Sequence, residues 1–194
     1  MSGQAKFLTE TEQHAVMARI TSRRTASIRR DRLLVLLSWR AGLRVCEIAG
    51  LNWSDVTDAS GAIADTLLVR RQTTKGKTFA RRVPLHGELK AALELWRHQA
   101  PHTSGQIVRL KPDRPLSANA LTIWFWRLYR EAGLDGCSSH SGRRTFITSA
   151  ARRCSEVGAS IEDVRQMAGH AWLSTTAGYI DPNEHAKGQL VAIL

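Results

Sequence analysis

The chain has 194 residues, 43% of them hydrophobic, which is enough for one domain with a real core. Its longest strongly apolar run, Leu33 to Leu37, is far too short to cross a bilayer, and its N-terminus lacks the apolar core of a signal peptide, so the chain reads as cytoplasmic. The formal net charge is +11, and 22 of the 28 basic residues are arginine, whose planar fork grips phosphate oxygens; a polyanion is the expected partner, and neither an amphipathic basic helix nor a lysine cluster points to a membrane surface instead.

Thr9 with Glu12 three residues on forms a capping box, predicting an amphipathic helix from Thr9 to Ile20 with Val16 and Ile20 on one face. The next stretch carries Arg23, Arg24, Arg29, Arg30 and Arg32, either a solvated face or a row of phosphate contacts. The run L-L-V-L-L predicts a buried helix over about 30–41, stopped by Gly42, a residue that accepts the left-handed conformation. In A-G-L-R-V-C-E-I-A-G-L a short helix starts at Arg44, with Glu47 three residues on. The pair is either a rigidly held arginine with its brace or a surface ion pair of little worth.

From Ala62 to Leu85 the pattern becomes strand-like. T-L-L-V-R-R and F-A-R-R-V-P-L flank T-T-K-G-K, predicting an antiparallel hairpin with Lys75, Gly76 and Lys77 at its tip; N-W-S-D-V is a candidate third strand. A helix over 87–100 is stopped by Pro101, and a loop with Gly105, Pro112 and Pro115 follows. Ser117 caps a helix over 118–132, ended by Gly133, whose Trp124, Phe125, Trp126 and Tyr129 suit core or interface. Three adjacent rings cannot share one side, so one is left exposed.

Another helix is predicted from His140 to Arg153. Ser160 and Asp163 make a second capping box, and Gly169 ends that helix, so His170 stands just past a helix stop. A short helix from Ser174 leads to Tyr179, and Leu190 to Leu194 form an apolar patch. The sum is an α+β chain, mostly α-helical, with a small antiparallel β-sheet. Cys46, Cys137 and Cys154 are odd in number and far apart, which indicates neither a disulfide framework nor a zinc knuckle; His86, His98 and His102 are too scattered for a metal site.

His140 and Arg143, three apart on a helix, share a face, where one can hold a phosphate oxygen while the other handles a proton. Tyr179, nine residues past His170 and after a polar S-T-T segment, has a hydroxyl that could reach the same phosphate. Singly these are weak signals. In order, however, the chain offers A-G-L-R-x-x-E, a lysine at a hairpin tip, H-x-x-R, G-H and S-T-T-x-x-Y.

That series resembles the catalytic domain of tyrosine recombinases, the phage-integrase family, from about Thr9 to the end. The resemblance implies the DNA breaking-rejoining fold and a site-specific recombinase (integrase) that cleaves and rejoins DNA strands through a 3′-phosphotyrosyl intermediate. In that chemistry Arg44 and Arg143 clamp the non-bridging oxygens, Tyr179 attacks phosphorus, and His140 is a candidate general base. His170 would hydrogen-bond a phosphate oxygen, and Lys75, with Lys77 as the alternative, would protonate the departing 5′ oxygen. Glu47 would brace the site. No metal, cofactor or ATP is implied. The implied partners are double-stranded DNA, further copies of the chain in a tetramer, and an accessory DNA-bending protein.

The chain departs from the family pattern at several places. Cys46 stands where serine or threonine is common, Gly142 where leucine is usual, and A-G-H replaces L-G-H. The expectation from Gly142 is a helix that starts later or packs less tightly. Residues 1–194 read as the catalytic domain, without the N-terminal core-binding domain usual in the family. The chain is then either a short recombinase like the fimbrial-switch invertases or a catalytic-domain fragment. The other readings are a type IB topoisomerase-like enzyme and a non-catalytic DNA-binding relative. The apolar tail would dock on a neighbouring subunit or fold onto its own domain.

Overall fold

The computed structural model describes residues 5–23, 25–74, 79–111, 114–179 and 184–192. Helix α1 spans Glu10–Thr21 and α2 spans Thr25–Trp39. The Thr9–Glu12 capping box starts α1, with Glu12 Oε2 accepting the Thr9 N–H at 2.9 Å. Helix α2 is the axis of the fold. Its Leu33, Leu34, Val35, Leu36, Leu37 and Trp39 are buried, and α1, α4 and α6 pack around it. It ends before Gly42, which takes the left-handed conformation at φ 62°.

Short helix α3 covers Val45–Ala49, and strands β1 (Thr66–Val69) and β2 (Arg81–Pro84) pair antiparallel, with Leu67 opposite Val83 and Val69 opposite Arg81. This is the predicted hairpin; its predicted tip, Lys75 to Lys77, lies outside the described residues. The N-W-S-D-V segment is not a third strand. Trp53–Asp55 is a single 3₁₀ turn, because Asp55 Oδ2 turns back to accept the Asn52 N–H at 2.8 Å. Helix α4 is Gly87–Arg97. Strands β3 (Arg109–Lys111) and β4 (Arg114–Pro115) then form a second antiparallel pair where the sequence reading had only a loop.

Helix α5 runs over Ala118–Glu131 from its Ser117 cap. Phe125 and Tyr129 face the core, while Trp126 is the exposed ring, 48% accessible, with the Arg130 guanidinium 4.7 Å from its centre. Helices α6 (Ser141–Arg153), α7 (Ile161–Ala168), α8 (Leu173–Ala177) and α9 (Glu184–Ala192) complete the order. A large core surrounds α2; a smaller cluster of Ile147, Val164 and Ala168 lies beneath Phe146 and Tyr179.

In the basic run after α1, three of the arginines are engaged in ion pairs. Arg23 bridges Asp31 at 2.7 Å and Glu131 at 2.8 Å, Arg30 also holds Asp31, and Arg32 pairs with Glu88. Asp31 is buried, so Arg23 and Arg30 are tied to the fold, while Arg29 and Arg32 are exposed; Arg24 lies outside the described residues. On α9, the described side chains are all exposed, Val191 at 71%, whereas the Leu190 side chain and residues 193 and 194 of the apolar tail lie outside the described residues. Among the described residues no helix is long and apolar enough to cross a membrane.

Candidate active site

The turn at Gly42 delivers Arg44 in an extended conformation (φ −72°, ψ 154°) at the mouth of α3. Glu47, one turn on, is 1% exposed. It accepts the Arg44 backbone N–H at 2.9 Å and the Arg44 Nη1 at 3.1 Å. The pair foreseen as either a surface bridge or a brace is therefore the inner edge of a buried cluster. Its third member is Arg81, which the sequence reading passed over. Arg81 donates Nη1 and Nη2 to the two Glu47 oxygens, each at 2.9 Å, and Nε to the Met167 carbonyl at 2.8 Å. The signal was present: in R-R-V-P, Arg81 shares the inward face of β2 with Val83, and an inward arginine needs a partner.

Burial alone would raise the Glu47 carboxyl. The Arg81 fork and charge, then Arg44, outweigh burial and hold it below its ordinary value. Arg81 also explains Gly169. This residue ends α7 at φ 65°, and a Cβ there would stand 2.8 Å from Arg81 Nη1. Both the backbone and the neighbour demand glycine immediately before His170.

Arg143, on the first turn of α6, is 3% exposed. Its Nη1 donates to the Gly42 carbonyl and its Nη2 to the Ala168 carbonyl, both at 2.6 Å. One side chain thus joins the turn that carries Arg44 to the helix end that carries His170. Burial, then the neighbouring Arg44 charge, pulls the Arg143 guanidinium below its ordinary value. Three guanidiniums around one carboxylate leave an excess of positive charge that a bound anion would relieve.

The expectation of a loose α6 is overturned. The helix begins at Ser141, directly after His140, and packs so closely on α2 that a Cβ at Gly142 would collide with the Ser38 hydroxyl and the Trp39 ring. Trp39 fills the space a larger residue 142 would take, and its Nε1 reaches Tyr129 Oη at 3.3 Å.

His170 is buried, and its Nδ1 lies 2.9 Å from Thr176 Oγ1. Burial first, then the charges of Arg143, Arg44, Arg81 and Arg165, push its pKa down to about 4, so the ring is neutral at pH 7. Tyr179 stacks against it, ring centres 5.6 Å apart and planes 22° off parallel. The Arg144 guanidinium lies 5.5 Å from the Tyr179 ring centre, and Thr148 Oγ1 reaches the Tyr179 carbonyl at 3.4 Å. Thr176 is the second residue the sequence reading missed as a functional contact, although it is the second threonine of the S-T-T segment.

His140 precedes α6, exposed, with Ser139 Oγ 3.5 Å from its Nδ1. With Arg143, Arg144, Thr175 and Tyr179 it lines an open cleft of about 700 Å³. Arg44, Glu47, His140, Arg143, His170 and Tyr179 are thus brought together by the contacts above. Lys75 and Lys77 lie outside the described residues. Among the described residues, no group of three or more His, Cys, Asp or Glu side chains could hold a metal ion. The assembled groups can bind a tetrahedral oxyanion and present a phenol to it.

Comparison with known proteins gives the family and the fold. The model of the phage integrase family matches residues 6–186. A tyrosine recombinase XerA of Thermococcus kodakarensis is 30% identical over 178 residues, covering 90% of this chain and 57% of the relative. A XerC of Stutzerimonas stutzeri is 27% identical over 78% of this chain and 48% of its own length. The chain spans about half the length of these relatives. Among solved structures, the Tn1549 transposon integrase in complex with transposon right end DNA superposes at TM-score 0.77 with 17% identity, over 98% of this chain and 66% of that one. XerH bound to its difH substrate gives 0.74 with 22% identity, over 97% and 54%. The fold is that of these recombinases, and with a family match over almost the whole length, the chain belongs to the phage integrase family.

Proposed function

We propose that this chain is the catalytic domain of a site-specific DNA recombinase, cutting and rejoining strands without metal or ATP. The observation that carries the reading is the set of arginines gathered around buried Glu47, with neutral His170 stacked on Tyr179 beside them. A phosphodiester passing to its transition state places growing charge on two non-bridging oxygens, and fixed cations are worth most where water is excluded. Arg44 and Arg143 take that role. His170 donates a hydrogen bond to a phosphate oxygen.

The Tyr179 oxygen attacks phosphorus, an O–P bond forms, and the bond to the 5′ oxygen breaks. The phenol proton goes to His140, and the 5′ oxygen takes a proton from Lys75 or Lys77. The product is a 3′-phosphotyrosyl enzyme and a free 5′ hydroxyl. One ester replaces another, so a 5′ hydroxyl from a second duplex reverses the step onto a new strand. Exchange between duplexes requires several copies on DNA, which the family resemblance makes a tetramer, and α9, whose described side chains are exposed, is the segment best disposed to link them.

The test is capture. The protein is mixed with nicked genomic fragments from its host at low salt, where phosphate contacts are strongest, then stripped with detergent. Covalent protein–DNA adducts are expected, and sequencing them gives the site. Retained DNA that detergent releases in full would instead favour a non-catalytic binder.

A further inference from the structure

Thr176 is fully buried on α8, three residues before Tyr179 and six after His170. Its hydroxyl lies 2.9 Å from His170 Nδ1 and has no other side-chain partner among the described residues. The backbone of His170 is held separately: Arg165, gripped through two of its nitrogens by Glu162 at 2.7 and 2.6 Å, donates Nη1 to the His170 carbonyl at 2.6 Å. The main chain is fixed by one side chain and the ring by another.

The direction of the threonine bond follows from counting donors. If Nδ1–H donated to Oγ1, the hydroxyl proton would still need an acceptor, and the described residues offer none. A buried donor left unpaired costs about 1–3 kcal/mol. If the hydroxyl donates to Nδ1, that donor is satisfied and the ring's single proton must sit on Nε2, which is not among the buried atoms cut off from solvent. Which nitrogen of a histidine carries the proton is set by the bond the other makes.

We propose that Thr176 is a positioning residue that fixes His170 as the neutral tautomer protonated on Nε2, with that N–H aimed at a phosphate oxygen of the substrate. The second half rests on the strand-transfer reading of this site. The opposite tautomer would turn a lone pair toward the phosphate oxygen, a repulsive contact. The stack of the ring on Tyr179 makes the same threonine set the spacing between nucleophile and oxygen donor.

The tautomer is read directly from the ¹⁵N shifts of the two His170 ring nitrogens at pH 7, assigned by the signals lost in His170→Gln. The wild type is expected to show a bare Nδ1 and a protonated Nε2. Thr176→Val, which keeps the shape and loses the hydroxyl, should lose that single-tautomer signature, and Thr176→Ser should restore it, the other histidines reporting that each variant is folded. A proton on Nδ1, or an unchanged spectrum in Thr176→Val, overturns the assignment. In single-turnover cleavage of a nicked duplex carrying the captured site, Thr176→Val should be slower by roughly tenfold, the low end of what losing such a partner costs a metal-bound histidine, with unchanged DNA affinity and rescue by serine. Equal rates would remove the catalytic half of the inference. A wild type that forms no adduct strikes the strand-transfer reading itself and leaves the spectrum to decide the role of Thr176.

Discussion

Arg81 and Glu47 are joined by two parallel hydrogen bonds, each 2.9 Å long, between a strand and a helix that are 34 residues apart in the chain. Both side chains are buried. The same carboxylate holds Arg44, and the same guanidinium holds the end of α7, so this pair sets the distance between the Arg44 turn and the His170 turn. A buried pair adds little net stability over an apolar pair, but breaking it from one side strands a charge.

Glu47→Gln and Arg81→Met are therefore each expected to lose about 3–5 kcal/mol of folding stability, measured by urea denaturation. Replacing both by apolar residues of similar volume should recover a large part of that loss, giving a strong non-additive term. Additive losses would mean that the two side chains act independently.

His170 gives a pH signature. Its pKa is near 4 in the folded protein and near the ordinary 6.5 once unfolded. As pH falls through 6.5 the unfolded chain takes up a proton that the folded chain refuses until about 4. Stability therefore declines with falling pH across that window and is unaffected by this group above it. Urea midpoints at pH 7 and pH 5 should differ less in His170→Gln than in the wild type. An identical shift in both proteins would show that His170 does not resist protonation.

Gly142 and Trp39 make a fitted contact. Gly142→Leu is expected to cost about 1–3 kcal/mol by overpacking, because the new side chain meets the Trp39 ring. In a Trp39→Ala background the same change should cost less, since the space is then vacant. Urea midpoints of the four proteins measure the coupling, and a cost independent of residue 39 would contradict the packing described.

The exposure of α9 makes a further prediction. Removing residues 184–194 should leave cleavage in place while tetramers on DNA are lost. Tetramers of the truncated protein, seen by light scattering, would exclude this helix as the link.

Much of this was legible in the sequence because it is local. Thr9 with Glu12, Ser160 with Asp163, and the left-handed Gly42 and Gly169 mark helix ends by short-range chemistry, and the structure repeats them. The spacing of His140 and Arg143 and the position of Tyr179 likewise locate the cleft. The misreadings came from competing signals. In N-W-S-D-V the apolar Trp53 and Val56 suggested a strand, while the Asn52-to-Asp55 spacing, itself a capping signature, won. The inward face of Arg81 is legible in R-R-V-P, but its partner Glu47 lies 34 residues away, and the fit of Trp39 over Gly142 joins residues more than 100 apart, which no local pattern contains; Thr176 is only six residues from His170, yet its contact depends on how the Gly169 turn folds back.

The most direct measurement is mass spectrometry of the covalent adduct formed on a nicked duplex carrying the captured site, after nuclease and protease digestion. The account predicts a single modified peptide with the nucleotide joined through its 3′ phosphate to Tyr179, absent from Tyr179→Phe. A nucleotide on another residue, a 5′ linkage, or an adduct that survives in Tyr179→Phe would contradict it.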